Sequence, residues 1–420
     1  MNKNQKGFAH IILFLICIAV VGVVVFTGWR VVSTHKNEGI SQILTSGASV
    51  EDKAIAAGKS LSGGHCNGSG ETTFTHLPMN APDFSILIPY GVTVGGHVTP
   101  VDHQYFSPTI FNSPKDTYPV YTMADSQITG IEVHPPENGS NGRIRLVFTV
   151  SCTFLYYYDL VTSVEPGIDA AHLPITVKAG QLIGHIGGQT LDFAVWNTKK
   201  PLSGFINPAS YDGEPWKIYT ADPFPYYRAD LRQILESKDP RVADPIAGKI
   251  DYDIDGKLIG NWFLQGSGGY HAPNNTAQFY WNGHLSIAPD LYDPSATVIS
   301  VGNYNSYPLS GPNLDTSSGD GSDARQYFAK AGSPDPAKVG QSDGIVKIEL
   351  VMRNWLTPSG SRWDSMSYVT GPKADDNSNQ IVGTVLAQLT GHRILKFEVF
   401  RGKTAAQVSG FDGEAKIYTR

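Results

Sequence analysis

Residues 177–198 read VKAGQLIGHIGGQTLDFAVWNT. Two short runs rich in Leu, Ile, Val and Phe, LIGHI and LDFAVW, are separated by glycines, which is the pattern of strand, turn and strand. The same pattern extends outward in both directions. Upstream lie FSILI (84–88), YPVYTM (118–123) and IRLVFTV (144–150). Downstream of residue 248 come GKIDYDIDGKLIGNWFL, QFYWNGHLSIAP, ATVISVGNY, GIVKIELVMRNWL, QIVGTVLAQLTGHRILKFEVF and EAKIYT. With 44 Gly and 27 Pro, and charged residues at only 17% of the chain against about 25% in ordinary domains, the composition predicts a mainly β protein with many turns. At 420 residues, two or three domains are expected.

The first 36 residues differ from the rest. Residues 8–26, FAHIILFLICIAVVGVVVF, carry no formal charge and are long enough as a helix to cross about 30 Å of hydrocarbon. They predict a single-pass signal anchor within 1–36, with everything after it extracytoplasmic at the cell membrane. Residues 37–80 are rich in Gly, Ser, Thr and Asn and predict a flexible stalk. An antiparallel β domain is expected over 81–225. A helix follows at residues 226–237 (YYRADLRQILES), its apolar side made by Leu231, Ile234 and Leu235. Pro240 and Pro245 then close a linker over 226–247. Residues 248–420 are expected to form a second β domain, a sandwich or barrel, with a hairpin turning at Thr390-Gly391-His392. Asp251, Asp253 and Asp255 alternate before Gly256 like the opening of a calcium loop, but Trp262 stands where that loop needs Glu, so a solvated strand face is the expectation. Cys66 and Cys152 are the only cysteines beyond the apolar run, and whether they pair is left open. The net charge of −6 and the lack of a dense basic block exclude a nucleic-acid footprint.

Residues 95–198 carry the chemistry: GGHVTPVDHQYF (95–106), DTYPVYTMADSQITGIEV (116–133), RLVFTVSCTFLYYYDLV (145–161), then the stretch quoted first. This succession resembles the lysostaphin-type (LytM-like) zinc endopeptidases that cut peptidoglycan cross-bridges, and more broadly the duplicated hybrid motif. Tyr118 to Asp125 matches that family's first strand, Tyr157-Tyr158-Asp159-Leu160 its Tyr-x-His-Leu segment, Val177 to Gly184 its Val-Lys-x-Gly-Gln-x-Ile-Gly hairpin, and Thr190 to Val195 its closing His-x-His-Phe-x-Val strand. The resemblance covers roughly a quarter of the chain. It implies a cell-wall polymer such as peptidoglycan as partner and zinc as the metal, while the oxygen-rich residues present here leave the divalent ion as zinc or calcium.

The departures concern the ligands themselves. The family's zinc rests on a His and an Asp four residues apart, and on the second His of the closing strand. Here Asp102 stands at the Asp position, with His97 five residues before it and His103 beside it. Thr190 and Asp192 replace both closing histidines, and Asp159 replaces the one in the Tyr-x-His-Leu segment. Three readings follow. The carboxylates make structural hydrogen bonds on a scaffold that has lost its chemistry; or His97, Asp102, His103 and Asp192 share a divalent ion of harder character than zinc; or His103, Asp159 and Thr190 serve an altered hydrolytic mechanism. A degenerate peptidase-like domain acting as a cell-wall binding or scaffolding module is the leading expectation, and a metal-dependent peptidoglycan hydrolase the alternative.

Overall fold

The computed structural model describes residues 49–135, 142–271, 280–314, 322–365 and 367–420. The apolar run at 8–26 lies outside them. Among the described residues no helix is long and apolar enough to cross a membrane.

The chain is mainly β. Its first part comprises helix α1 (Val50–Leu61) and strands β1 (Phe84–Ile88), β2 (Gln104–Pro108), β3 (Tyr118–Tyr121), β4 (Ser126–His134), β5 (Arg143–Ser151), β6 (Phe154–Val161), β7 (Ser163–Val164), β8 (Ile175–Val177), β9 (Leu182–Ile186), β10 (Leu191–Asn197) and β11 (Thr220–Ala221). One sheet runs β1-β2-β10-β6-β5-β4-β8, with β11 on the side of β10, and a small sheet runs β3-β9-β7. The central strands β6 and β10 are buried along their whole length, because both faces of the sheet are covered and neither reads as alternating polar and apolar. On one face Phe106, Phe148, Tyr156, Tyr158 and Phe193 stack into an aromatic core closed by Phe74 and Tyr227. The opposite face carries the odd-numbered partners of β6, Tyr157 and Asp159, and Asp192 of β10.

Two expectations for this part change. Residues 49–80 are not a flexible stalk. Ser49 caps α1 through a reciprocal pair with Asp52, Cys66 is disulfide-bonded to Cys152, and Phe74 is fully buried. One glycine there serves close approach: a Cβ on Gly58 would fall 1.6 Å from the Cys152 carbonyl oxygen, while Gly63, Gly64, Gly68 and Gly70 turn the chain at positive φ. The segment 177–184 is a corner rather than a hairpin, since β8 pairs with β4 while β9 pairs with β3 and β7. Gly180 makes that corner at φ +78°, a conformation that costs glycine nothing.

Helix α2 (Ala229–Glu236) buries Leu231 and Leu235 against the first core. The second part comprises β12 (Gly260–Leu264), β13 (His284–Pro289), β14 (Thr297–Val301), β15 (Arg325–Ala329), β16 (Val346–Met352), β17 (Trp355–Leu356), β18 (Arg362–Trp363), β19 (Lys373–Ala374), β20 (Ile381–Gly391), β21 (Ile394–Arg401) and β22 (Lys416–Thr419). Strands β12-β13-β14-β15-β16-β20-β21-β22 close into an eight-stranded barrel, and β17 pairs with β18 and β19 in a small sheet beside it. Closure leaves no barrel strand with an unpaired edge, and Trp262, Leu285, Ile299, Tyr327, Ile348 and Phe397 fill the interior. The predicted hairpin is β20–β21, with its turn at His392 and Arg393 because Gly391 still pairs with Ile394. Asp251 and Asp253 are buried rather than solvated. They fix the loop that enters the barrel, through Asp251 Oδ2 accepting from Gly204 N at 2.9 Å and Asp253 Oδ1 accepting from Asn261 N at 2.7 Å.

The barrel docks on the segment between β1 and β2. Gln326 Nε2 donates to the Gly95 carbonyl at 3.0 Å, Arg353 donates to Thr93, and the Trp281 indole lies where a Cβ on Gly96 would be 3.2 Å away. This contact holds the loop carrying His97, Asp102 and His103 against the polar face of the large sheet.

Candidate functional site

The register of β2, β10 and β6 assembles the site. Asp192 faces Tyr105 on one side and Asp159 on the other, so the loop entering β2 and the two central strands bring Asp102, His103, Asp192 and Asp159 onto one face. The first three of these side chains join Glu214, Lys217 and Thr190 in a continuous polar chain. Glu214 Oε2 lies 3.0 Å from Lys217 Nζ, and Lys217 Nζ donates to Asp102 Oδ1 at 2.6 Å. His103 Nδ1 follows at 3.6 Å from Asp102 Oδ1, an electrostatic contact rather than a hydrogen bond, and His103 Nε2 is 3.3 Å from Asp192 Oδ2. Thr190 Oγ1 closes the chain by donating to Asp192 Oδ1 at 3.2 Å. His97 stands beside it, its ring centroid 6.0 Å from that of His103. Phe193 and Val195 point to the opposite, apolar side, as the two-residue period of a strand requires.

Asp159 belongs to a second ionic group. Its Oδ2 accepts from Arg143 Nη1 at 3.0 Å and from Arg145 Nε and Nη2 at 2.9 and 2.8 Å, while Oδ1 accepts from the Leu160 amide at 2.7 Å. Leu160 adopts φ +64°, uncommon for a bulky residue, and the bulge this makes at the end of β6 turns its amide onto the carboxylate. Arg145 also lies over the rings of Tyr157 and Trp216, 5.2 and 5.7 Å from their centroids.

These pairings set the ionisation. Burial alone would raise Asp102, yet the Lys217 ammonium and His103 hold it well below the usual carboxylate range. Asp159 likewise stays low against desolvation because of Arg143 and Arg145. Lys217, despite burial, is held well above its ordinary value by Asp102 and Glu214. Asp192 has no dedicated cation: desolvation, reinforced by Asp159 and only partly offset by His103, pushes it up to about 7. Desolvation, with the charges of His103 and Lys217, brings His97 down to about 3.

The residue set expected from the sequence is therefore brought together in part. Asp102, His103 and Asp192 converge and His97 is adjacent, but the set does not fit a zinc ion. The two nitrogens of an imidazole point to opposite edges of the ring, and here one edge faces Asp102 and the other Asp192, so both carboxylates cannot join one nitrogen around a common ion. One Asp102 oxygen is already engaged by an ammonium. Among the described residues no three His, Cys, Asp or Glu side chains are arranged to hold a metal. The catalytic set expected from the sequence, His103, Asp159 and Thr190, is divided: Thr190 donates to Asp192 and Asp159 is bound by two guanidinium groups. Arg143, Arg145, Glu214 and Lys217 escaped the sequence reading. A signal existed for the first two, which stand two apart in an otherwise apolar strand and so share one face. None existed for Lys217, in the turn segment PWKIY.

No family model matches this chain, and no curated protein sequence matches it either. Solved structures similar to it include a zinc-containing peptidase from Vibrio cholerae (20% identity, 31% of this chain and 39% of that one, TM-score 0.24) and Helicobacter pylori Csd3 (15% identity, 40% of each chain, TM-score 0.24). Lysostaphin is a further neighbour, at 14% identity over 70% of this chain and 91% of that one, with a TM-score of 0.24. The chain thus spans about two-fifths of the length of the first two. Superposition at these scores is too loose to transfer a residue from one chain to another.

Proposed function

We propose that this chain is a membrane-anchored extracytoplasmic protein whose peptidase-like domain binds or scaffolds a cell-wall polymer without cleaving it. The observation that carries the reading is the clamp on Asp159. A water-activating peptidase needs a general base with a free lone pair beside an open coordination position, whereas Asp159, at the place of an assisting histidine in the family it resembles, has its Oδ2 bound by Arg143 and Arg145. The disulfide between Cys66 and Cys152 supports an exported location, since such bonds persist in oxidising compartments. The apolar run at 8–26 supplies the anchor.

The test uses the purified full-length chain and isolated peptidoglycan sacculi. Saturable co-sedimentation with no release of soluble muropeptides is the expected result. Release that stops when a chelator is added would establish the alternative, a metal-dependent hydrolase with altered ligands, and overturn the binding-module reading.

A further inference from the structure

We propose that the Lys217 ammonium is the resident cation of this site, a side chain of the protein occupying the position between Asp102 and Glu214 where a divalent ion would otherwise be held. The inference deepens the non-catalytic reading by specifying what replaces the metal.

Lys217 is almost fully buried, at 7% exposure, and its nitrogen is placed by both carboxylates, 2.6 Å from Asp102 and 3.0 Å from Glu214. It reaches there from the short 3-10 turn Pro215–Tyr219, which is braced against the body by the Leu202 amide donating to the Ile218 carbonyl at 2.7 Å. The Tyr270 ring, carried by the segment after β12, lies 5.0 Å from the same nitrogen, and its hydroxyl meets Thr99. The cation is therefore enclosed by the loop before β2, the turn after β10 and the barrel.

A second observation shows that the cage has binding capacity beyond what Lys217 uses. Asp102 is 3% exposed and His103 9% exposed, and Asp102 Oδ2 and both ring nitrogens of His103 are buried without a hydrogen-bond partner. Buried polar atoms normally find one. An ion bound to that spare oxygen at about 2.0–2.6 Å would lie within roughly 5 Å of the ammonium, and two like charges at that distance in a desolvated site exclude each other. With Lys217 in place the cage takes no divalent ion. With the ammonium removed, as in Lys217→Met, the two carboxylates are left without a counter-charge, an all-oxygen pair that suits a hard cation such as Ca²⁺ or Mn²⁺.

Thermal unfolding of the full-length chain, paired with metal content by mass spectrometry, tests this. Wild type should be unmoved by chelator, Ca²⁺ or Mn²⁺ and should carry no stoichiometric metal. Lys217→Met should lower Tm by roughly 6 °C or more, as expected for breaking a buried ion pair, and millimolar Ca²⁺ or Mn²⁺ should recover most of that loss. Lys217→Arg should remain indifferent to both ions, and the double variant Asp102→Asn/Lys217→Met should regain stability without metal. If Lys217→Met does not accumulate folded, recovery of folded protein in that double variant supports the pairing and its failure overturns it. The inference is also overturned if a divalent ion raises the wild-type Tm, if Lys217→Met is as stable as wild type, or if neither ion recovers it. These outcomes are read without muropeptides, so they stand or fall separately from the binding-module reading.

Discussion

Replacing Asp159 is the most direct probe of how the polar face is held together. The carboxylate is 2% exposed and receives three guanidinium hydrogen bonds and one amide. Arg143 is itself 7% exposed, so Asp159→Ala leaves two guanidinium groups close together with their shared counter-charge gone. Breaking a buried pair in this way costs about 3–5 kcal/mol. Asp159→Asn keeps one oxygen for the Leu160 amide but sets an NH2 donor against the guanidinium groups and loses the charge, so it should recover little of that cost. Asp159→His, which brings back the residue type of the resembling family, should be no better than Ala, because an imidazole set against two guanidinium groups adds a donor where acceptors are needed. Urea unfolding at neutral pH, followed by tryptophan fluorescence, measures all three; Trp196 sits beside Tyr157, and Trp216 beside Trp196 and under Arg145, so both report on this face. A loss below about 1 kcal/mol for Asp159→Ala, the size typical of an exposed ion pair, would refute the claim that this carboxylate neutralises the arginines.

Further expectations concern other parts of the molecule. The Cys66–Cys152 bond closes a span of 86 residues, so Cys66→Ser/Cys152→Ser should lose about 4–5 kcal/mol on the chain-entropy scale, visible as a lower urea midpoint that reductant no longer shifts. Gly58→Ala should loosen α1 from the body, since its Cβ would meet the Cys152 carbonyl at 1.6 Å; faster proteolytic trimming of the segment before Cys66, at unchanged global stability, is the readout. Asp253 is raised from 3.8 to about 6 by desolvation, which Arg420 only partly offsets. A raised folded-state pKa means that the native protein holds this proton more tightly than the unfolded chain. Its contribution is therefore full below about pH 4 and declines as pH rises through about 6, by up to about 3 kcal/mol at about 1.36 kcal/mol per pH unit. Asp253→Asn should flatten that part of the stability profile between pH 4 and 7, and an unchanged slope would count against it.

Much of the fold was legible because strands are written locally. Runs such as FLYYYDLV and LDFAVWN carry β-branched and aromatic side chains at strand length, and Gly and Pro punctuate them, so mainly β structure and the β20–β21 hairpin follow from neighbouring residues alone. What composition misjudged was 49–80, where Gly58 permits close packing against Cys152 and the other glycines make turns in a segment held by the disulfide. The nearness of Asp102 to Asp192 depended on strand order, since β2 pairs with β10 across more than eighty intervening residues. The counter-ions depended on still more: Lys217 lies 115 residues from Asp102 in a turn with no motif around it, and Arg143 and Arg145 meet Asp159 only because β5 and β6 lie in register. Local periodicity encodes which face a side chain takes, but the charge that comes to rest against it is chosen by long-range packing, where leaving a buried carboxylate unpaired costs several kcal/mol. The sequence by itself determined the strands and three acids of the site, Asp102, Asp159 and Asp192; the tertiary structure decided that the protein's own lysine meets Asp102 and its arginines meet Asp159, while Asp192 receives neither.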